Sequence, residues 1–354
     1  MNDSNLNIAQ PSPLSQPLEI TTPSMDIRDK VLPSRALPVV DLGPFLQGQA
    51  NTLEPLAKKW RDICENLGFL CVINHGLSPL LIDQMEQATR AFHALPDSEK
   101  LDLHVTEHQR GYIPSRATML KHSTYEKHTK LDTVECLVIA TDYPIDHPEL
   151  LAGKQFYSRN RWPANLPEFQ HVVENYMRTV EELGKKLLPV WARALELPEN
   201  FFEPYFEEPY SYFRIAKYPK TDFVADQEFG LGAHADTGFM TFLPPALEQG
   251  LQVLDEQGQW FWPQVPDGAL IVNIGQFLSR WTNGRFRATP HRVLPPRQND
   301  RYSFACFINT SLDSEASCLP TCTSSENPPQ YPTQSYWSYF QWYMKNTYSH
   351  YGNQ

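Results

Sequence analysis

The chain has 354 residues, enough for one large domain or two small ones, and its 41% hydrophobic content can build a substantial core without covalent staples. Lys and Arg number 30 against 41 Asp and Glu, a formal net charge of −11 with no dense basic block, which excludes a nucleic-acid binder because phosphate contacts need clustered positive charge. No apolar run approaches the roughly 18 residues that span a bilayer, and six scattered cysteines (Cys64, Cys71, Cys136, Cys306, Cys318, Cys322) fit a reducing cytosol better than a disulfide framework.

Residues 1–35 are rich in Asn, Ser, Pro and Thr, lack a secretory apolar segment and carry early acids at Asp3, Glu19 and Asp26; they read as a mobile tail with no transit-peptide character. Ordered structure is expected from Leu37–Leu42, a short apolar strand, followed by a helix over 54–67. There Leu56, Trp60, Ile63, Cys64 and Leu67 fall at helical spacing, and Gly68 ends the run. Phe69–Ile73 has the length and continuity of a buried strand, closed by the turn Asn74-His75-Gly76. A second helix is expected over 78–95, with Ser78 as N-cap and Pro79 in the first turn.

Residues 110–162 are less regular, with Gly111–Pro114 and Val134–Ile139 as the strand-like pieces; a helix over 168–195 then carries a long apolar side and reads as a buttress. After Pro209 short strand-like runs follow one another at 210–218, 239–243, 251–254, 259–263, 269–274, 289–294 and 302–308, separated by turns of Gly, Pro or Asn. That density predicts a closed or double-sheet β architecture such as a jelly roll. An aromatic-rich helix over 333–348 is expected to pack on its outside. The chain therefore divides into a tail (1–35), a mostly helical part with a few strands (36–208), a β core (209–310) and a C-terminal loop and helix (311–354).

Within the β core, His234-Ala235-Asp236 is the first candidate site. Side chains two residues apart on a strand share a face, so both can reach one ion inside a barrel, or pair with each other as a structural hydrogen bond. His291, in the strand-like Thr289–Leu294, supplies a second imidazole. Two histidines and a carboxylate with open positions suit Fe(II); a structural zinc site more often uses cysteines, and a zinc hydrolase would need a nearby general base that the sequence does not offer. His147-Pro148-Glu149 has similar spacing but lies in a loop and reads as a solvated turn, and Cys318 with Cys322, lacking a second pair, reads as free thiols. Arg301 and Ser303 alternate on one strand that continues through Phe304, Cys306 and Ile308. A buried arginine must be paired, and Arg with Ser fits one carboxylate.

On these residues, together with LPVVDL (37–42), GFLCVINHGL (68–77), RGYIP (110–114), NRWP (160–163) and PHRVLPP (290–296), the chain resembles the isopenicillin N synthase-like branch of the Fe(II)/2-oxoglutarate-dependent dioxygenases. The resemblance runs from Leu37 onward and implies a mainly β fold with flanking helices around a double-stranded β-helix, the jelly roll of cupin-like proteins. It implies that His234, Asp236 and His291 hold Fe(II), while Arg301, Ser303 and Tyr218 grip the far carboxylate of 2-oxoglutarate. The asparagine often found two positions before that tyrosine is Ala216 here. The implied reaction consumes O2 and 2-oxoglutarate, releases succinate and CO2, and oxidises a substrate C–H bond, with hydroxylation as the default and desaturation or ring formation open. Retention of Asp236 argues against halogenation, since halogenating relatives lack that carboxylate.

Two rival readings remain at this stage: a 2-oxoglutarate-independent oxidase of the same fold, whose Arg301 and Ser303 bind the substrate's own carboxylate, and a silent β-barrel used for binding. Tyr112, Ile113, Met119, Phe213 and Phe307 are the candidate substrate-pocket residues, and the 12% aromatic content suggests an apolar or aromatic small molecule. Nothing in the sequence suggests obligate assembly, so a cytoplasmic monomer acting away from membranes is expected.

Overall fold

The computed structural model describes residues 26–119, 125 and 130–347; residues 1–25 of the expected tail and the end of the expected C-terminal helix at Tyr348 lie outside them. Thirteen strands build the core: β1 (Ser34–Ala36), β2 (Val39–Asp41), β3 (Phe69–Ile73), β4 (Gly111–Ile113), β5 (Glu135–Ala140), β6 (Ser211–Tyr218), β7 (Leu231–His234), β8 (Met240–Leu243), β9 (Leu251–Leu254), β10 (Trp260–Gln264), β11 (Leu270–Ile274), β12 (His291–Val293) and β13 (Arg301–Ile308). They form a large sheet ordered β2-β3-β11-β8-β13-β6-β5-β4 and a smaller one ordered β1-β10-β9-β12-β7. The two sheets face each other as a jelly roll, as expected. Apolar residues of both inner faces, among them Phe69, Cys71, Val253, Phe261 and Ile271, pack between them.

Helices cover the other face of the large sheet. They are chiefly α2 (Leu53–Asn66), α3 (Pro79–His93) and α6 (Phe169–Lys186), accompanied by α1 (Gly43–Leu46), α4 (Asp97–Leu101), α5 (Pro148–Leu151) and α7 (Leu188–Ala194). Helix α2 buries Leu56, Ala57, Trp60, Ile63 and Cys64, which recur at three- and four-residue spacing, against α7, where Trp60 and Trp191 meet edge to face at 5.1 Å. It stops where the chain turns at Gly68 (φ +67°), a position at which a Cβ would sit 2.0 Å from Arg287 O. With helices on one side and the second sheet on the other, β3 and β11 are covered on both faces, so they read as continuous apolar runs rather than alternating ones.

Several sequence expectations need correction. The single helix over 168–195 is two, α6 and α7, broken at Leu187 because Pro189 cannot donate to the carbonyl of Lys185 in a continuous helix. Ser78 occupies the cap position of α3 with extended backbone, but its hydroxyl makes no capping bond. The described residues inside the expected tail are tied down. Arg28 donates to the carbonyls of Thr221 and Asp222 and pairs with Asp26, and Ser34–Ala36 runs parallel to β10. After β13, the C-terminal helix α9 (Tyr336–Thr347) begins three residues later than expected, and a short helix, α8 (Gln276–Trp281), precedes β12.

Candidate metal centre

β7 and β12 pair antiparallel at one edge of the small sheet, and their register sets His291 opposite His234 with ring centroids 4.3 Å apart. Asp236 arrives by a different route from the one its spacing suggests. β7 ends at His234, so Asp236 lies past the strand, in a turn held by Gln276. The Gln276 backbone N–H donates to Asp236 O at 2.7 Å, and its side-chain amide donates to Ala235 O at 2.9 Å. The result is convergence: Asp236 Oδ1 lies 3.7 Å from His234 Nε2 and 3.5 Å from His291 Nε2, and all three donor atoms fall within 4.8 Å of one another. Bonds of about 2.1 Å to a first-row dication set perpendicular donors about 3 Å apart, so these three close on one ion with small side-chain movements.

The surroundings fix how each donor is presented. His234 Nδ1 lies 2.8 Å from Gly232 O and His291 Nδ1 lies 3.2 Å from Thr289 O; a carbonyl only accepts, so both rings carry the proton on Nδ1 and offer the Nε2 lone pair. Asp236 Oδ2 accepts from Thr241 Oγ1 and from Asn273 Nδ2, each at 2.6 Å, which leaves Oδ1 for the ion. Burial, reinforced by His291, pushes the His234 imidazole down to about 3, so it is neutral. Burial opposes ionisation of Asp236, yet the nearby imidazoles and the Thr241 hydroxyl outweigh it and hold the carboxyl below the usual range. His291 moves the other way: burial disfavours its charge, and Asp236 more than restores it. A dication takes over that attraction, and a neutral imidazole beside an ionised carboxylate is the state in which such ligands bind metal.

A second polar group faces the same cavity. β13 pairs with β6 so that Arg301 sits opposite Tyr218 and Ser303 opposite Ala216. The Arg301 guanidinium lies 4.9 Å from the Tyr218 ring centroid, and its Nε and Nη1 are buried with no hydrogen-bond partner among the described residues. An uncompensated buried guanidinium costs several kcal/mol, on the order of what a bidentate carboxylate restores. Gly250 makes room for this arm, since a Cβ there would lie 2.9 Å from both Arg301 Cδ and Leu294 O. His234, Asp236, His291, Arg301, Ser303 and Tyr218 all line one cavity of about 950 Å³, open solvent at its mouth included. Its size suits a small molecule beside a metal-bound co-substrate.

Of the expected pocket residues, Phe307 lines this cavity and the other four are not in its wall. Phe213 projects from the opposite face of β6 and stacks on Tyr176 at 5.5 Å, as strand alternation dictates. Tyr112 is directed toward the helices, where its hydroxyl donates to Glu135 beside Lys100. Ile113 is on the cavity side of the sheet but two strands away, packed with Val105, Cys136 and Ala216. Met119 lies in the irregular segment after β4, half-buried and outside the lining. His147 caps α5, accepting from the Glu149 N–H at 3.2 Å. The sequence reading passed over Thr241, Asn273, Gln276 and Arg214. An asparagine inside the apolar run of β11 was the available signal, because a buried amide needs partners.

A jelly roll with this donor set and this buried cation defines the class of mononuclear non-haem oxygenases. Comparison with known proteins agrees. Residues 37–165 match the family model "non-haem dioxygenase in morphine synthesis N-terminal", and residues 210–310 match the 2OG-Fe(II) oxygenase superfamily. The 2-oxoglutarate-Fe(II) type oxidoreductase hxnY of Emericella nidulans is 33% identical over 84% of this chain and 86% of its own length. Among solved structures, a 2OG-Fe(II) oxygenase family protein from Caulobacter crescentus superposes with a TM-score of 0.75 at 30% identity, covering 88% of this chain and 98% of that one. JOX2 in complex with 2OG, Fe and JA gives a TM-score of 0.72 at 27% identity over 89% and 86% of the two chains. This chain belongs to the 2OG-Fe(II) oxygenase superfamily and is an oxidoreductase that uses Fe(II) and 2-oxoglutarate. Among the described residues, no helix is long and apolar enough to cross a membrane.

Proposed function

We propose that this protein oxidises a C–H bond of a small organic molecule, most simply by hydroxylation, while 2-oxoglutarate and O2 become succinate and CO2. His234, Asp236 and His291 hold the iron, and Arg301, Ser303 and Tyr218 grip the far carboxylate of 2-oxoglutarate. Bound iron supplies O2 activation, with the two-electron oxidation of 2-oxoglutarate as its partner reaction. The chain's own share is placement. Thr241 and Asn273 aim the Asp236 carboxylate, the carbonyls of Gly232 and Thr289 aim the imidazoles, and the Arg301 guanidinium fixes one end of the co-substrate. Tyr212, Phe307, Phe340, Tyr343 and Met344 form a largely apolar wall that excludes water and suits an apolar or aromatic substrate.

The observation that carries this reading is the pair of buried Arg301 nitrogens, without a hydrogen-bond partner among the described residues, in the cavity of the three converging donors. The test measures O2 uptake and succinate release by the iron-loaded chain. Uptake that requires 2-oxoglutarate and matches succinate mole for mole is the expected result; uptake without 2-oxoglutarate would assign Arg301 and Ser303 to the substrate's own carboxylate instead.

A further inference from the structure

β7 is the edge strand of the small sheet, and its pairing with β12 slips beside the metal centre. His291 lies opposite His234 and Val293 opposite Leu231, so Gly232 and Ala233 together face Arg292 alone. One extra residue in one strand of a pair is a β-bulge, which bends the strand and re-aims the side chains next to it. The side chain re-aimed here is His234, whose Nδ1 lies 2.8 Å from the Gly232 carbonyl. Glycine has more backbone freedom than any other residue, so a histidine oriented by a glycine carbonyl is held only as firmly as that glycine.

A side chain from outside the two strands fixes it. The Gly232 N–H donates to Asp132 Oδ1 at 2.9 Å. Asp132 lies just before β5 of the large sheet and is 1% exposed. Its backbone N–H donates to Thr118 O at 2.9 Å and its carbonyl accepts from the Arg116 N–H at 3.0 Å. The next two residues, Thr133 and Val134, donate to Phe229 O and Gly230 O at 3.1 and 3.0 Å, which ties this segment to the approach to β7. Asp132 is therefore a rigid post beside the bulge. Burial pushes its carboxyl up to about 7, against the opposing pull of the Gly232 N–H and the Arg214 charge, and its Oδ2 is buried with no hydrogen-bond partner among the described residues. Burying a carboxyl with so little compensation is costly, and the bond it does make goes to the residue whose carbonyl orients His234.

We infer that Asp132 is a positioning residue for the metal centre: its carboxyl holds the bulge at Gly232, and the bulge aims the His234 imidazole at the metal site. The relay runs from Asp132 Oδ1 through the Gly232 backbone to His234 Nδ1, so the segment that leads into β5 helps set the ligand geometry without touching the ion. This inference rests on the proposed ligand set, of which His234 is a member. Either protonation state of the carboxyl leaves an oxygen that accepts from the amide, so an asparagine carbonyl reproduces the bond and a leucine of similar shape does not.

Isothermal titration of Mn(II) into the metal-free full chain tests it, with wild type, D132L, D132N, T133V and H234A compared. Loss of a group that orients a histidine ligand typically weakens metal binding about ten- to a hundredfold, and Asp132 acts one step further out, so D132L should weaken Mn(II) binding about tenfold. D132L should also shift the visible absorption bands of the Co(II)-loaded protein, and D132N should restore both affinity and bands to near wild type. T133V alters the neighbouring buried side chain, which lies off the relay, and should bind as wild type does. D132L binding Mn(II) like wild type, or D132N or T133V losing as much as D132L, overturns the assignment. Amide exchange in the metal-free wild type gives a reading independent of how any variant folds: the Gly232 N–H should exchange as slowly as the ladder amides of β12, and fast exchange there removes the bond and the inference with it. H234A separates the two readings. Wild-type affinity in H234A removes the ligand set, whereas loss in H234A with none in D132L removes only the role of Asp132.

Discussion

The two faces of β6 and β13 are built from the same eight-residue strands and do opposite work. Toward the helices they present Phe213, Ile215, Phe304, Cys306 and Ile308, all buried, with Tyr176 of α6 stacked on Phe213 and edge-on to Phe304. Toward the small sheet they present Arg214, Tyr218, Arg301 and Ser303, whose polar atoms face a cavity. Alternation with a period of two lets one strand hold the molecule together on one side and carry its chemistry on the other. The comparison teaches that tolerance to substitution should change with every step along these strands: losses on the helix face appear as instability, and losses on the cavity face as lost turnover in a folded protein.

The largest break in this contrast comes from His291→Ala, which removes one of three donors. Succinate production should fall below detection while the melting midpoint stays close to wild type; a variant that retains turnover would refute the ligand assignment. Trp191→Ala strikes the other side, where Trp191 meets Trp60 at 5.1 Å and Phe239 at 5.6 Å. It should cost about 3–5 kcal/mol in denaturant unfolding, with the affinity of the folded protein for 2-oxoglutarate unchanged. Arg301→Met should raise KM for 2-oxoglutarate roughly 10- to 100-fold, the equivalent of about 1.5–3 kcal/mol, and Gly250→Ala should raise it less by pressing on the Arg301 arm. Unchanged KM in both would remove the clamp.

The smallest effect belongs to a pair on neither face. Arg28 holds the Asp26 carboxyl at about 2, below the value of about 3.9 for an unfolded chain. A depressed carboxyl stabilises the fold above the unfolded value, and that contribution disappears as pH falls through the folded one. The melting difference between wild type and Asp26→Asn should therefore be constant from neutral pH down to about 5 and shrink between about 4 and 2. A difference that grows on acidification would contradict the pairing.

How much of this was legible in the sequence follows from the range of the forces involved. His234, His291, Arg301 and Ser303 could be found because their residue types are costly to bury in strands unless something binds them. The jelly roll could be found from its strand density. The position of Asp236 could not: the strand stops at His234, and the turn beyond is fixed by Gln276, some forty residues later, whose role depends on tertiary placement. The pocket wall was illegible for a related reason. Phe213 and Phe307 look alike in sequence, but which face of each strand meets the cavity is set by pairing across the sheet. Tyr112 is drawn away by Glu135, Lys100 and Lys217, a buried charge cluster assembled from three separate segments. The break between α6 and α7 was visible in Pro189, and apolar periodicity alone ran across it.

Helix α9 adds Tyr336, Phe340, Tyr343 and Met344 to the cavity from a segment that follows the last strand of the barrel. It is fastened by ring contacts with Phe156, Tyr210, Tyr212 and Phe277 and by hydrogen bonds from Trp337 Nε1 to Gln155 O at 3.0 Å and from Gln341 Nε2 to Gln155 Oε1 at 2.9 Å. Part of the cavity wall is thus carried outside the barrel, whereas Tyr212 and Phe307 share β6 and β13 with Tyr218, Arg301 and Ser303. Substitutions at Tyr336, Phe340, Tyr343 or Met344 reshape that share of the wall and leave β7 and β12, the strands that present His234 and His291, in place.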